Sequence, residues 1–139
     1  MLAVIDTNII ISALLLPTSQ PAKIINVWRS GNFTLLTAAP QIEELMRVSR
    51  YPKIRDRLNP ALTGRLINEM RDLATMIDYL PPVDISPDPC DNYLLSIASG
   101  GLADYLVTGD KRDLLSIKKF GGTSIVSAAE FTKKLSINR

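Results

Sequence analysis

Histidine is absent from all 139 residues, and that absence excludes more chemistry than any residue present suggests. Without it there is no Ser-His-Asp triad, no Cys-His pair, no paired-histidine nuclease and no histidine-rich zinc site. Hydrolytic chemistry in such a chain rests on carboxylates, most simply on carboxylates that hold a hard cation. Cysteine is almost as scarce. Cys90 stands alone, so no internal disulfide can form, which fits a reducing cytoplasm. With no histidine to activate its thiol, Cys90 reads as a buried or incidental cysteine.

Long apolar runs are also missing. The longest, Ile9 to Leu16, is interrupted by Ser12 and is far too short to span a bilayer. The N-terminus carries no basic segment and Asp6 breaks its apolar residues, so no secretory leader is expected and the expected location is cytoplasmic. Neither a G-x-G-x-x-G nor a G-x-x-x-x-G-K phosphate loop occurs. The net charge of +2 is mild, so any case for nucleic acid depends on how charge is distributed.

What is present reads as one α/β domain over residues 1–139. Apolar residues make up 46% of the chain, enough for a single substantial core. Leu2 to Ile5 is a continuous apolar run, as in a strand buried on both faces of a parallel sheet. Helices are expected over Ile9–Leu16, from Pro21 to Gly31, over Pro40–Tyr51 and from an Asn59-Pro60 cap to about Met76. Short strands are expected at Phe33–Leu36, Ile77–Leu80, Tyr105–Val107 and Thr123–Val126, with an S-x-x-E capping box at Ser127 and Glu130 opening a last helix. Strands alternating with helices imply a three-layer α/β/α domain around a mainly parallel sheet of four to five strands.

The stretch from Asp88 to Asp113 holds the densest signal. Leu94, Leu95 and Ala98 mark the core-facing stripe of a helix, and Asp91 falls on that same stripe. A carboxylate there is expected to turn outward unless something at the helix start needs it. The helix is expected to stop at Gly100-Gly101. A strand follows it, ending at Thr108-Gly109-Asp110, and Asp113 or Asp110 would cap a short helix reaching Phe120. Ligands of open parallel sheets bind beyond the carboxyl ends of the strands. Asp6 and Asp110 both follow strands, so both should lie along that edge. Each is also a plausible helix cap, and Asp88 suits a cap before Asp91 at least as well. Glu43 and Glu44 both lie off the apolar centre of their helix, and the periodicity does not separate them. Together these acids suggest a metal site.

A second cluster is basic. Arg47, Arg50, Lys53, Arg55 and Arg57 are five of the chain's 16 basic residues, set against Asp56 alone, with Tyr51 available for stacking. The run begins just after Glu44, so it should lie beside the acidic mouth. A solvated basic helix end is the plain alternative.

These residues bear a resemblance to a known family. D-T-N at Asp6–Asn8, the Glu44-Leu45 pair, D-P-x-D-N at Asp88–Asn92 and Y-L-V-T-G-D-K at Tyr105–Lys111 occur in the order and spacing of PIN-domain nucleases. The chain most resembles those that serve as toxins of toxin–antitoxin pairs. The resemblance implies that Asp6, Glu44, Asp91 and Asp110 form an acidic quartet holding Mg²⁺ or Mn²⁺, and it selects Glu44 over Glu43. It makes Asn8 and Thr108 polar supports, and Asp88 and Asp113 auxiliary acids. It implies hydrolysis of RNA phosphodiester bonds to a 5′-phosphate and a 3′-hydroxyl; the charge of the basic run, in turn, leads to the expectation that Arg47, Arg50, Lys53 and Arg55 contact substrate. An antitoxin partner and a homodimer, built on the exposed faces of the Ile9–Leu16 or Asn59–Met76 helices, would also follow. Cys90 departs from the pattern, since relatives often carry a charged residue there, and so alters the net charge near the site. Elementary electrostatics agrees: two unit charges ~4 Å apart repel by roughly 4 kcal/mol at an effective dielectric of ~20, so converging carboxylates call for a cation.

Rival readings are weaker. A phospho-receiver module pairs adjacent acids after its first strand and places a lysine after its last, and neither occurs here. An aspartate-nucleophile phosphatase wants D-x-D where Asn8 stands. The strongest alternative is a PIN scaffold that binds RNA or a partner protein with little catalysis of its own.

Overall fold

A computed structural model describes residues 1–86, 88–109 and 114–137. A six-stranded sheet runs through the middle in the order β3-β2-β1-β4-β6-β5. Its strands are β1 (Leu2–Ile5), β2 (Thr34–Thr37), β3 (Thr75–Met76), β4 (Tyr105–Val107), β5 (Lys119–Phe120) and β6 (Thr123–Val126). All pairings are parallel except that of β5 with β6. Ala3, Val4 and Ile5 have no exposed surface, which is why the first strand is apolar without alternation.

Helices cover both faces. Helices α1 (Thr7–Leu15), α2 (Gln20–Arg29), α3 (Ala39–Ser49), α5 (Pro60–Leu73) and α7 (Ala128–Ile137) share one core with Ala3, Ile5, Leu35 and Val107. Phe131 lies at its centre, edge-on to Phe33 and Tyr105 at 5.2 and 5.5 Å. The other face is covered by α6 (Pro89–Gly101), which packs Leu94, Leu95, Ile97 and Ala98 against Val4, Leu36, Leu106 and Ile125. No helix among the described residues is long and apolar enough to cross a membrane.

Several expectations shift. The sheet gains one two-residue edge strand, β5, giving six strands rather than four to five. Helix α5 opens as expected, with Asn59 Oδ1 accepting from Ala61 N at 3.0 Å, but ends at Leu73 rather than near Met76. The chain there pairs with β2, so the strand sits at Thr75–Met76 instead of Ile77–Leu80. Beyond Ile77, whose N donates to Thr37 O at 2.8 Å, Pro81 and Pro82 have no N–H with which to continue a ladder. Pro52 does not merely end α3; it opens the short helix α4 (Pro52–Arg55). Before Phe120 the described residues form only one 3₁₀ turn, Leu115–Ile117, and β5, because Lys118 takes a positive φ of 64°. The Asp110 or Asp113 cap expected there lies outside the described residues.

Helix α6 stops at Gly101, as expected, but neither glycine is its left-handed cap. Both remain helical, and the left-handed turn falls on Leu102 at φ 53°. Ala103 N reaches back to Ala98 O at 2.9 Å and Leu102 N to Ser99 O at 3.3 Å, a Schellman pattern with leucine in the position glycine usually holds. The glycines serve packing instead. A Cβ on Gly100 would meet the Tyr79 carbonyl oxygen at 2.7 Å, and one on Gly101 would meet Leu36 Cδ1 at 2.7 Å.

Candidate active site

The carboxyl ends of β1 and β4 are adjacent, and the chain leaves them in opposite directions along the sheet. This is the switch point where an open parallel sheet leaves a crevice. A cleft of about 410 Å³ lies there, lined by Asp6, Asn8, Ile9, Ser12, Glu44, Val48, Asp88, Asp91, Leu94 and Gly109. Three sequence segments that lie far apart thus bring Asp6, Glu44, Asp88 and Asp91 to one cavity.

Asp6 is both a helix cap and a cleft residue. Its N donates to Val107 O at 2.8 Å, which carries it just past β4. Its Oδ1 accepts from Asn8 N at 3.1 Å at the start of α1, while Oδ2 accepts from Thr108 Oγ1 at 2.8 Å. Thr108 is fully buried, so this bond fixes the Asp6 carboxylate across the gap between two strands. Asn8 is exposed at the cleft wall.

Asp91 is the third residue of α6, not its cap; Asp88 holds the preceding position and its carbonyl accepts Asp91 N at 3.0 Å. Asp91 is 8% exposed, and its Oδ2 accepts from Ser86 Oγ at 3.3 Å. Ser86 is pinned by Asn92, whose Oδ1 accepts from Ser86 N at 2.9 Å and from Ile85 N at 3.2 Å, and whose Nδ2 donates to Ser86 O at 3.0 Å. The strap before α6 is thereby clasped to the helix that carries Asp91.

Glu44 is held from elsewhere. Tyr93, two residues after Asp91, donates its hydroxyl to Glu44 Oε1 at 2.5 Å and sits 3.2 Å from Thr7 Oγ1. Burial first, and the bond to Glu44 second, push the Tyr93 phenol well above its ordinary range, so it remains a donor. Glu44 also faces Arg47, at 3.9 Å. Behind this pair, Gln41 donates from Nε2 to Ile5 O at 2.5 Å and accepts from Thr37 Oγ1 at 2.6 Å. That buried amide satisfies the last carbonyl of β1 and sets the register of α3 against the sheet, placing Glu44 one turn further on. Glu43 is exposed and lies outside the cleft.

Asp110 and Asp113 lie outside the described residues. Among the described residues no three Asp, Glu, Cys or His side chains come close enough together to hold a metal ion. The donor chemistry still suits a hard divalent cation, since Asp6, Glu44, Asp88 and Asp91 supply only oxygen. The basic residues divide. Arg47 borders the cleft through Glu44, whereas Arg50 and Arg55 line a different groove and Lys53 lines neither. Sequence reading did not single out Tyr93, Thr7, Gln41 or Ser86. Of these, only Tyr93 carried a signal: its neighbour Asp91 sits on an apolar stripe, and a phenol beside it is a ready partner for a second acid.

A family model described as a PIN domain matches residues 3–112, from β1 through the segment after β4. The chain belongs to the PIN-domain family. PIN domains are generally nucleases, so phosphodiester hydrolysis is the class of chemistry the family implies. The PIN domain is also similar to an uncharacterized protein of Methanocaldococcus jannaschii, 28% identical over 116 residues that cover 83% of this chain and 74% of the relative.

Proposed function

We propose that the protein is a metal-dependent endoribonuclease, with Asp6, Glu44, Asp91 and Asp110 holding Mg²⁺ or Mn²⁺. The observation that supports the reading is that Asp6, Glu44 and Asp91 line one cleft at the switch point of a PIN-family sheet. A divalent ion bound there would neutralise a phosphate oxygen and lower the pKa of a coordinated water. The chain's own residues do the rest. Thr108, Ser86 and Tyr93 each hold one carboxylate, so the acids are oriented before anything binds. Ile9, Val48 and Leu94 form apolar walls that strengthen the electrostatics inside. Arg47 at the rim draws in the phosphate backbone. The reaction is attack of water on phosphorus in line with the departing 3′-oxygen, which takes up a proton, leaving a 5′-phosphate and a 3′-hydroxyl.

The toxin role, an antitoxin partner and a homodimer belong to the same reading and rest on the resemblance of the motifs, while a cytoplasmic location rests on the lone cysteine. Exposed Leu16 and Leu62, at 54% and 47%, offer apolar surface for a second copy. The deciding experiment is cleavage of mixed single-stranded RNAs with Mg²⁺, Mn²⁺ or EDTA, with Asp6→Asn as control. Metal-dependent cleavage by the parent and none by the variant is the expected result. RNA binding with no cleavage under any metal would instead make the protein a non-catalytic PIN scaffold.

A further inference from the structure

A second groove, of about 470 Å³, lies between α3, α4 and α5 on the side of α3 away from the cleft. Glu44 and Val48, four residues apart, face the cleft, while Met46, Ser49 and Arg50 face the groove. Among the described residues three guanidinium groups line it, from Arg50, Arg55 and Arg71, and no carboxylate does. Among the described residues Arg50 and Arg71 have no carboxylate partner within ion-pair distance. Arg55 has only the exposed Asp56, at 3.8 Å, where solvent screens the attraction. Met46, Leu58 and Ile67 give the groove apolar walls. Arg71 comes from α5 and lies outside the basic run that stands out in the sequence, whereas Lys53, inside that run, is not part of the groove.

The groove and the cleft are connected. A shallower depression on the outer side of α3 is lined by Glu43, Met46, Arg47, Arg50 and half-exposed Tyr51. Arg47 joins it to the cleft through Glu44, and Met46 and Arg50 line both the depression and the groove. A strand leaving the cleft therefore has cations at each stage as it crosses a helix about 10–12 Å wide. An acidic peptide would also answer the charge, but it would not need a basic path that runs on to the acidic cleft.

We propose that this groove is a docking track for single-stranded RNA, with phosphates on Arg50, Arg55 and Arg71 and bases against Met46, Leu58 and Ile67. The proposal rests on the ribonuclease reading above for its substrate. Single strands fit because their unstacked bases can use apolar walls, which a duplex keeps inside its own stack.

The test measures binding of a fluorescein-labelled, mixed-sequence single-stranded RNA in EDTA, in an Asp6→Asn background that cannot cleave. Adding Arg71→Ala should weaken binding about tenfold, as loss of a charge-assisted phosphate contact. It should also reduce the slope of log affinity against log salt by about one. Adding Lys53→Ala should change neither beyond about twofold. Gly64→Glu gives an independent check, because Gly64 lines the groove and a Cβ there meets nothing within 4 Å. Gly64→Glu brings a negative charge to the track from a position whose Cβ has open space, and should weaken binding as Arg71→Ala does. If Arg71→Ala and Gly64→Glu bind like their background, or Lys53→Ala matters as much as Arg71→Ala, the track is wrong. Loss of affinity for a glutamate-rich peptide but not for RNA would overturn it in favour of a protein partner. Cleavage by the unmutated protein is scored separately. A protein that cleaves RNA but ignores Arg71 refutes the track alone. One that binds through Arg71 yet cleaves nothing keeps the track and refutes the nuclease.

Discussion

Helix α3 separates two basins of similar size and opposite character. On one side, carboxylates from the cap of α1, from α3 and from α6 are each tied to a fixed donor, and the cleft between them opens at the edge of the sheet. On the other, arginines stand over apolar walls, and the bonds made there are long or exposed, such as Arg71 Nη2 to Met46 Sδ at 3.5 Å. The difference is one of preorganisation. Converging like charges need fixed geometry if a small hard ion is to bind them, because the ligands must be in place beforehand. A flexible polyanion tolerates flexible partners, and its affinity comes from the number of cations more than from their exact placement.

The largest effect should come from the preorganised side. Asp6→Asn removes a charge held by Thr108 and should lower the rate of metal-dependent RNA cleavage about a hundredfold or more, read from initial rates at saturating Mn²⁺. Comparable rates in parent and variant would mean that the cleft is not the reaction centre. Tyr93→Phe comes next. It keeps the ring and deletes only the donor to Glu44, so Mn²⁺ affinity by calorimetry should fall about tenfold. With Glu44→Gln already in place the same change should have little further effect on the ion. An equal loss in both backgrounds would mean that Tyr93 acts through packing alone.

Two smaller effects test stability on each side. Asp91→Asn relieves repulsion, so its melting temperature in EDTA should match or exceed the parent's. The parent should gain more on adding metal, about 2.7 kcal/mol at a hundred times the dissociation constant. Equal destabilisation with and without metal would make Asp91 a purely structural residue. On the groove side, Gly64→Ala adds a methyl group into open space in the middle of α5. It should stabilise the fold by about 0.5–1 kcal/mol, seen in urea melts, and leave RNA affinity unchanged. A loss of stability there would mean that the helix face is already occupied.

Much of the fold was legible because its signals are local. Leu2 to Ile5 and Tyr105 to Val107 are apolar without alternation because both faces of the sheet are covered. The Asn59 cap and the Ser127–Glu130 box are set by residues two or three apart. Asp6 and Asp91 were readable for the same reason, being acids at strand or helix ends. What the sequence could not resolve depends on partners far along the chain. Glu44 differs from Glu43 because a tyrosine 49 residues away reaches it. The two-residue strand at Thr75–Met76 exists because β2 is beside it, not because of its own pattern. Gly100 and Gly101 rightly mark the end of α6, but what requires glycine there is Tyr79 and Leu36, which approach too closely for any side chain. Arg71 escaped notice because only the packing of α5 on α3 brings it to the basic run.

The bond from Thr108 to Asp6 joins residues 102 positions apart. β1, at the centre of the sheet, is synthesised first, but its neighbour β4 leaves the ribosome roughly a hundred residues later. Until then the Asp6 carboxylate has no Thr108 to orient it, and the wall formed by α6 has only just emerged. The loop closure is long, so its entropy must be met before the contact stabilises anything. A nascent chain therefore emerges with its first acid in place and its cleft unformed. Whatever that cleft does, it cannot act until α6, β4 and Thr108 have been translated.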